Sequence, residues 1–133
     1  MLSVDRPVLI VTQFDFAAAH HLPQHAGKCR RPHGHNYLLE VGVKGIPRPA
    51  DGTSSEGMVM DFAHLKRTVQ ERAIAVMDHQ DLNEVIPPAY QPTTVEHLSL
   101  WLWDILQPAL PGLAWVRIWE TPKSYAEVGG FGR

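Results

Sequence analysis

Five of the eight histidines in this 133-residue chain (His20, His21, His25, His33 and His35) fall within sixteen positions that also hold its one cysteine, Cys29. His33 and His35 flank Gly34, and in an extended segment positions i and i+2 point to the same face, so two imidazoles converge. Gly34 adds no side chain between them and lets another group approach closely. His20, at the end of a preceding extended run, supplies a third nitrogen if the two strands pair. Three neutral imidazoles with a vacant position are the donor set of a catalytic zinc site, whereas structural zinc sites close with four ligands and are usually rich in cysteine. The competing reading is of ordinary histidines, satisfied at a surface or in a core. It is the better one for His25, His64 and His97, which have no partner at ligand spacing, and for His21, which a persisting strand turns away from His20.

Three further groups bear chemistry. Cys29 lies in Lys28-Cys-Arg-Arg31, where cations and a metal would stabilise a thiolate, as base, nucleophile or fourth ligand. The carboxylate of Asp78 neighbours His79 and is placed to orient it and hold a proton on it. Glu120 follows Val116 and Ile118 in an alternating run, so its side chain turns toward the inner face, where a carboxylate needs donors. A flat heterocycle with an amino group beside a ring N–H offers two parallel donors, which a carboxylate accepts as a fork. An ion pair with Arg117 or Lys123 is the alternative.

These residues require elements to carry them. Residues 8 to 16 read as a strand whose end delivers Ala17 to His20, and Tyr37 to Lys44 as a second that begins where His-Gly-His ends. The Pro-, Gly- and Ser-rich stretch 46–57 reads as a mobile loop without chemistry. Asp61 caps a helix to about Met77, with Phe62, Leu65, Val69, Ala73 and Val76 on its apolar stripe. A loop with Pro87, Pro88 and Pro92 follows. Thr93 and Glu96 then form the capping box of a second helix, whose buried stripe is Val95, Leu98, Leu102 and Ile105. Two strands close the chain, one with Val116, Ile118 and Glu120 opposite Trp115, Arg117 and Trp119, the other from Tyr125 to Val128. The order ββααββ predicts one α+β domain over 1–133, an antiparallel sheet with two helices on one face, and edge strands that a closed oligomer would cover.

Composition limits the function classes. Lys plus Arg at 12 against Asp plus Glu at 14 leaves a net charge of −2, so no basic field draws the molecule to nucleic acid. No apolar run approaches the ~20 residues of a membrane span and nothing reads as a signal peptide, so no membrane partner and a cytoplasmic address are expected. One cysteine forms no internal disulfide, which fits a reducing compartment.

Taken in order, Phe16-Ala-Ala-Ala-His20 with Leu22-Pro23, Lys28-Cys29, His33-Gly34-His35-Asn36-Tyr37, Val59-Met60-Asp61-Phe62, Leu65-Lys66, Asp78-His79 with Leu82-Asn83, Pro92-Thr93-Thr94 and Glu120-Thr121 resemble the 6-pyruvoyltetrahydropterin and 6-carboxytetrahydropterin synthase family over nearly the whole chain. The resemblance implies a tunnelling fold, four antiparallel strands with two helices, closing an oligomeric barrel as trimers that pair into hexamers with active sites between subunits. It implies Zn2+ on His20, His33 and His35, proton transfer by Cys29, Asp78 and His79, and a pterin ring anchored by Glu120. Three residues separate Cys29 from His33, as in the bacterial queuosine-pathway branch, which implies 7,8-dihydroneopterin triphosphate as substrate and a 6-carboxy product. Pyruvoyl formation and a zinc- and pterin-binding module without catalysis are the alternatives. The segment Pro92 to Leu98 has one residue more before Glu96 than some relatives, and Lys28, Arg30 and Arg31 meet the triphosphate on the charge argument alone.

Overall fold

A computed structural model describes residues 3–130. Four strands, β1 (Val8–His20), β2 (His33–Gly45), β3 (Leu113–Thr121) and β4 (Ser124–Val128), form one antiparallel sheet in the order β1-β2-β3-β4. Between β2 and β3 the chain builds α1 (Phe62–Val69), a π-helical turn (Gln70–Ile74), α2 (Ala75–Met77), α3 (Leu82–Val85) and α4 (Val95–Leu106). The α+β class and the four-stranded antiparallel sheet match the expectation. Both long helical segments cover the same sheet face, since one core cluster joins Phe16, Leu39, Val41, Val116 and Ile118 to Leu65, Val69, Leu98 and Leu102. Among the described residues no helix is long and apolar enough to cross a membrane.

Several boundaries differ from the periodicity reading. β1 runs on to His20, and β2 begins at His33, so His-Gly-His is part of the strand and does not precede it. Asp61 caps α1 as expected, accepting from the Ala63 N–H at 2.8 Å. Phe62, however, is 48% exposed, while Ile74 and Met77 are buried. The π-helical turn adds a residue to the helical repeat and so rotates the inner stripe partway along the segment. The capping box is also corrected: α4 is capped by Thr94, whose hydroxyl accepts from the His97 N–H at 3.2 Å. Thr93 is fully buried and turned toward His20 and Asn83, and Glu96 stays exposed, with no cap role. Where a plain loop was expected, α3 makes a single turn, too short to show a period. The segment 46–57 lies outside the regular elements and is tied across by Arg48 N–H to Met58 and Gly57 N–H to Arg48.

The other sheet face carries a polar and aromatic cluster. Gly42 faces Trp115, and a Cβ there would lie 2.6 Å from the indole, so the glycine makes the space into which Trp115 lies down. Arg117 stacks its guanidinium over Trp115 at 4.8 Å and Tyr125 at 4.6 Å and pairs with Glu127 at 2.7 Å. Glu40 accepts from Trp119 at 2.7 Å and Gln13 at 3.0 Å, with Arg117 at 3.5 Å. Burial alone would push the Glu40 carboxyl upward, but these donors and the Arg117 charge outweigh it and hold it below the ordinary 4.5.

A carboxyl whose folded pKa is depressed adds stability above its unfolded pKa and loses it as pH falls through the folded value. The stability gap between the wild type and Glu40→Gln, measured by denaturant unfolding, should therefore be largest near neutral pH and shrink on acidification below 4.5. A gap that stays constant or widens in acid would contradict this account of the cluster.

Candidate metal centre

The register of β1 on β2 sets His20 directly opposite His33 and Ala18 opposite His35. Alternation then brings His20, His33, His35 and Tyr37 to the core face, at the end of the sheet where the apolar core stops. The three imidazole centroids lie 4.6, 5.1 and 4.9 Å apart, and one ligand atom from each falls within 4.8 Å of the others.

Hydrogen bonds settle two of the three tautomers. His20 Nδ1 stands 2.9 Å from the Thr93 carbonyl and His33 Nδ1 stands 2.7 Å from the Arg31 carbonyl. A carbonyl can only accept, so each Nδ1 carries the proton and each Nε2 keeps a lone pair. His35 Nε2 is buried without any hydrogen-bond partner. Burial is the largest influence on His20 and His35 and holds both below the ordinary imidazole value, hence neutral at neutral pH. Glu120 joins them, one carboxylate oxygen 3.9 Å from His20 Nε2 and the other 3.9 Å from His35 Nε2. The lone pairs of His20 and His33 and the Glu120 carboxylate converge and would repel one another, and the donor set fits a divalent transition-metal ion. Carbonyls behind two of the imidazoles stand where outer partners orient the histidines of metal sites.

Glu120 arrives there through a break in the ladder. Trp119 pairs with Tyr125 and Thr121 with Ser124, so Glu120 is the extra residue of a bulge, the kind of irregularity that re-aims a side chain. Its alternative partner Arg117 is engaged with Glu40 and Glu127. Periodicity gave the correct face for Glu120, but the contact with the histidines was not expected.

The end of β1 is held by the segment 78–83, in which sequence reasoning gave Asp78 and His79 a chemical role but Gln80 and Asn83 none. Asn83 accepts from the His21 N–H and donates to its carbonyl, both at 2.9 Å. Ala19 N–H reaches the Gln80 carbonyl at 3.0 Å, Ala17 N–H reaches the Asp78 carboxylate at 3.1 Å, and His79 N–H reaches the Ala17 carbonyl at 2.6 Å. Asp78 also holds His79 Nδ1 at 2.9 Å, so the expected pair exists. The Ala17 N–H first, and then His79, keep the Asp78 carboxyl low. His79 takes a left-handed backbone, φ 60°, an expensive conformation for a side-chain-bearing residue. Its imidazole is 81% exposed. Cys29 is half-buried in a 3-10 turn (Lys28–Arg30) and is not among the clustered metal-capable atoms, which are those of the three histidines.

Tyr37 was not singled out, although the step His33, His35, Tyr37 continues the same alternation. It is 1% exposed, stacks on Phe16 at 5.0 Å, and its hydroxyl is buried without a partner. Burial first, and then the nearby Glu120 charge, push its ionisation far upward, so it remains a neutral phenol. Neighbours of the site line two clefts, one of about 400 Å³ that includes Asn36, Tyr37, Trp119 and Thr121 and one of about 500 Å³ that includes Leu22, Pro23, His25, Pro92 and Thr94.

Removing the Asn83 clamp should loosen His20. Asn83→Ala is expected to destabilise the protein by about 1–3 kcal/mol, because it leaves the His21 backbone groups unpaired. It should also weaken the affinity of the three-histidine cluster for a divalent transition-metal ion by about 10–100-fold, read from a metal titration beside thermal unfolding. Unchanged affinity would show that the clamp does not orient the site.

Comparison with known proteins gives a consistent picture. The family described as "6-pyruvoyl tetrahydropterin synthase" matches residues 9–130. The chain is 39% identical over 119 residues to a 6-carboxy-5,6,7,8-tetrahydropterin synthase of Synechocystis, covering 89% of this chain and 90% of that one. It is 36% identical over 106 residues to the 6-pyruvoyl tetrahydrobiopterin synthase of Dictyostelium discoideum, covering 78% and 75%. The solved structure of the Caenorhabditis elegans 6-pyruvoyl tetrahydropterin synthase superposes with a TM-score of 0.80 at 27% identity, covering 94% of this chain and 96% of that one, so the tunnelling fold is shared. On a match that takes in all of the strands and helices described above except Val8, the chain belongs to the 6-pyruvoyl tetrahydropterin synthase family.

Proposed function

We propose that the protein is a zinc-dependent 6-carboxy-5,6,7,8-tetrahydropterin synthase, converting 7,8-dihydroneopterin triphosphate and water to 6-carboxytetrahydropterin with release of acetaldehyde and triphosphate, in the cytoplasmic route to queuosine and related 7-deazapurines. The observation that carries this reading is the convergence of His20, His33, His35 and Glu120, with the lone pairs of His20 and His33 turned into the cluster, in a chain 39% identical to a synthase of that name. The three residues between Cys29 and His33 favour the carboxy branch over pyruvoyl formation. The likeness to the Dictyostelium enzyme makes pyruvoyl formation the second reading.

His20, His33 and His35 hold the ion through their unprotonated nitrogens. When bound, zinc supplies Lewis acidity toward oxygens of the substrate side chain and so acidifies the adjacent carbon positions. Cys29, as thiolate, takes a proton from the side chain, and His79, oriented by Asp78, supplies or accepts the second. Glu120 accepts the amino and ring N–H of the pterin as a fork. The exposure of His79 in the single chain suits an active site completed by a neighbouring subunit, and trimers paired into hexamers are the assembly proposed. A binding module has no use for the Cys29 thiol or for the exposed His79 imidazole held by Asp78, which argues against that reading.

One incubation separates the readings. Mass analysis of the pterin after reaction with dihydroneopterin triphosphate should show a one-carbon carboxylate side chain, with acetaldehyde released. A retained three-carbon side chain would establish pyruvoyl formation, and no consumption of substrate by zinc-loaded protein would favour the module. Cys29→Ala should lower turnover by at least about 100-fold while leaving metal content near one per chain. Metal lost with the thiol would make Cys29 a ligand and not a base.

A further inference from the structure

The position of Glu120 is not that of a group waiting only for a heterocycle. Its carboxylate is 31% exposed, and among the described residues nothing donates a hydrogen bond to it, Arg117 being paired with Glu40 and Glu127. It stands 3.9 Å from the nitrogens of His20 and His35, beyond hydrogen-bond reach. Two ligand atoms that share one zinc ion at about 2.1 Å each are separated by at most about 4.2 Å, and both contacts fall inside that span. The nitrogen facing it on His20 is a lone pair by tautomer, so an ordinary ion pair does not explain the approach. The backbone permits movement: Glu120 lies at the bulge, without a ladder partner on β4, and the pairing of β3 with β2 ends at Trp119.

We infer that Glu120 is the fourth, displaceable ligand of the resting metal site, closing it until substrate oxygens take its place and release the carboxylate to the pterin ring. The inference rests on the metal reading above and joins its two binding events. The ring anchor becomes available only when the side chain of the substrate has entered the metal's coordination, so a pterin lacking side-chain oxygens meets a carboxylate already engaged. Substrate recognition and opening of the site are then one exchange.

The test uses the metal alone, without turnover. Cobalt(II) is loaded into the wild-type 133-residue chain, into Glu120→Gln, which keeps the shape of the side chain and removes its charge, and into Glu120→Ala. The visible absorption band is recorded, and zinc affinity is measured by competition with a chromophoric chelator. Both variants should show a shifted cobalt band and bind zinc at least about tenfold more weakly than the wild type, since losing a direct ligand should cost no less than losing an outer partner. Adding 7,8-dihydroneopterin, which has the ring and side-chain hydroxyls but no triphosphate to lose, should shift the band of the wild type. Identical bands and affinities in all three proteins would overturn the inference and leave the zinc site standing. Failure of the wild type to bind either metal would overturn both.

Discussion

The pairing of His20 with His33 across β1 and β2 is the constraint on which the site depends. Side chains alternate along a strand, so a slip of one residue in this register would send His33, His35 and Tyr37 to the opposite sheet face and leave His20 alone. The register is held at one end by Leu39, Val41 and Val43, which must face the helices. At the other it is held by the backbone bonds that Asn83, Gln80 and Asp78 make to the last residues of β1. Core burial and site geometry are thus one condition, met along one pair of strands.

Position at the rim of the core also determines the chemistry of the imidazoles. Farther in, three polar rings would have no acceptors for their N–H groups. Farther out, water would keep them ready to protonate. At the rim, backbone carbonyls of Thr93 and Arg31 take up the protons of two rings, burial keeps His20 and His35 neutral, and the nitrogens face one another. A buried Thr93 serves here as part of the support of His20, which is why it is not available to cap α4 and why Thr94 does so instead.

The two faces of the sheet carry different tasks. The helix-covered face leads from aliphatic core into histidines and Glu120. The other is tied together by Arg117, Glu40, Glu127 and two tryptophans, a network that engages Arg117 and leaves the Glu120 carboxylate to the histidine side. A bulge of one residue in β3 completes the separation.

From the sequence by itself came the chemistry and the class: a His-x-His spacing that forces two imidazoles onto one face, an alternation that assigns Glu120 to the inner side, the Asp61 cap, and the order ββααββ. These are local, because periodicity and backbone geometry act over a few residues. Tertiary structure alone decided what stands opposite what. The register that brings His20 to His33, the carbonyls that set the tautomers, the bulge that swings Glu120 onto the histidines and the 78–81 segment bound to β1 join residues as far apart in sequence as His20 and Glu120. Such contacts follow from packing the whole chain around one core, which no short window of sequence contains.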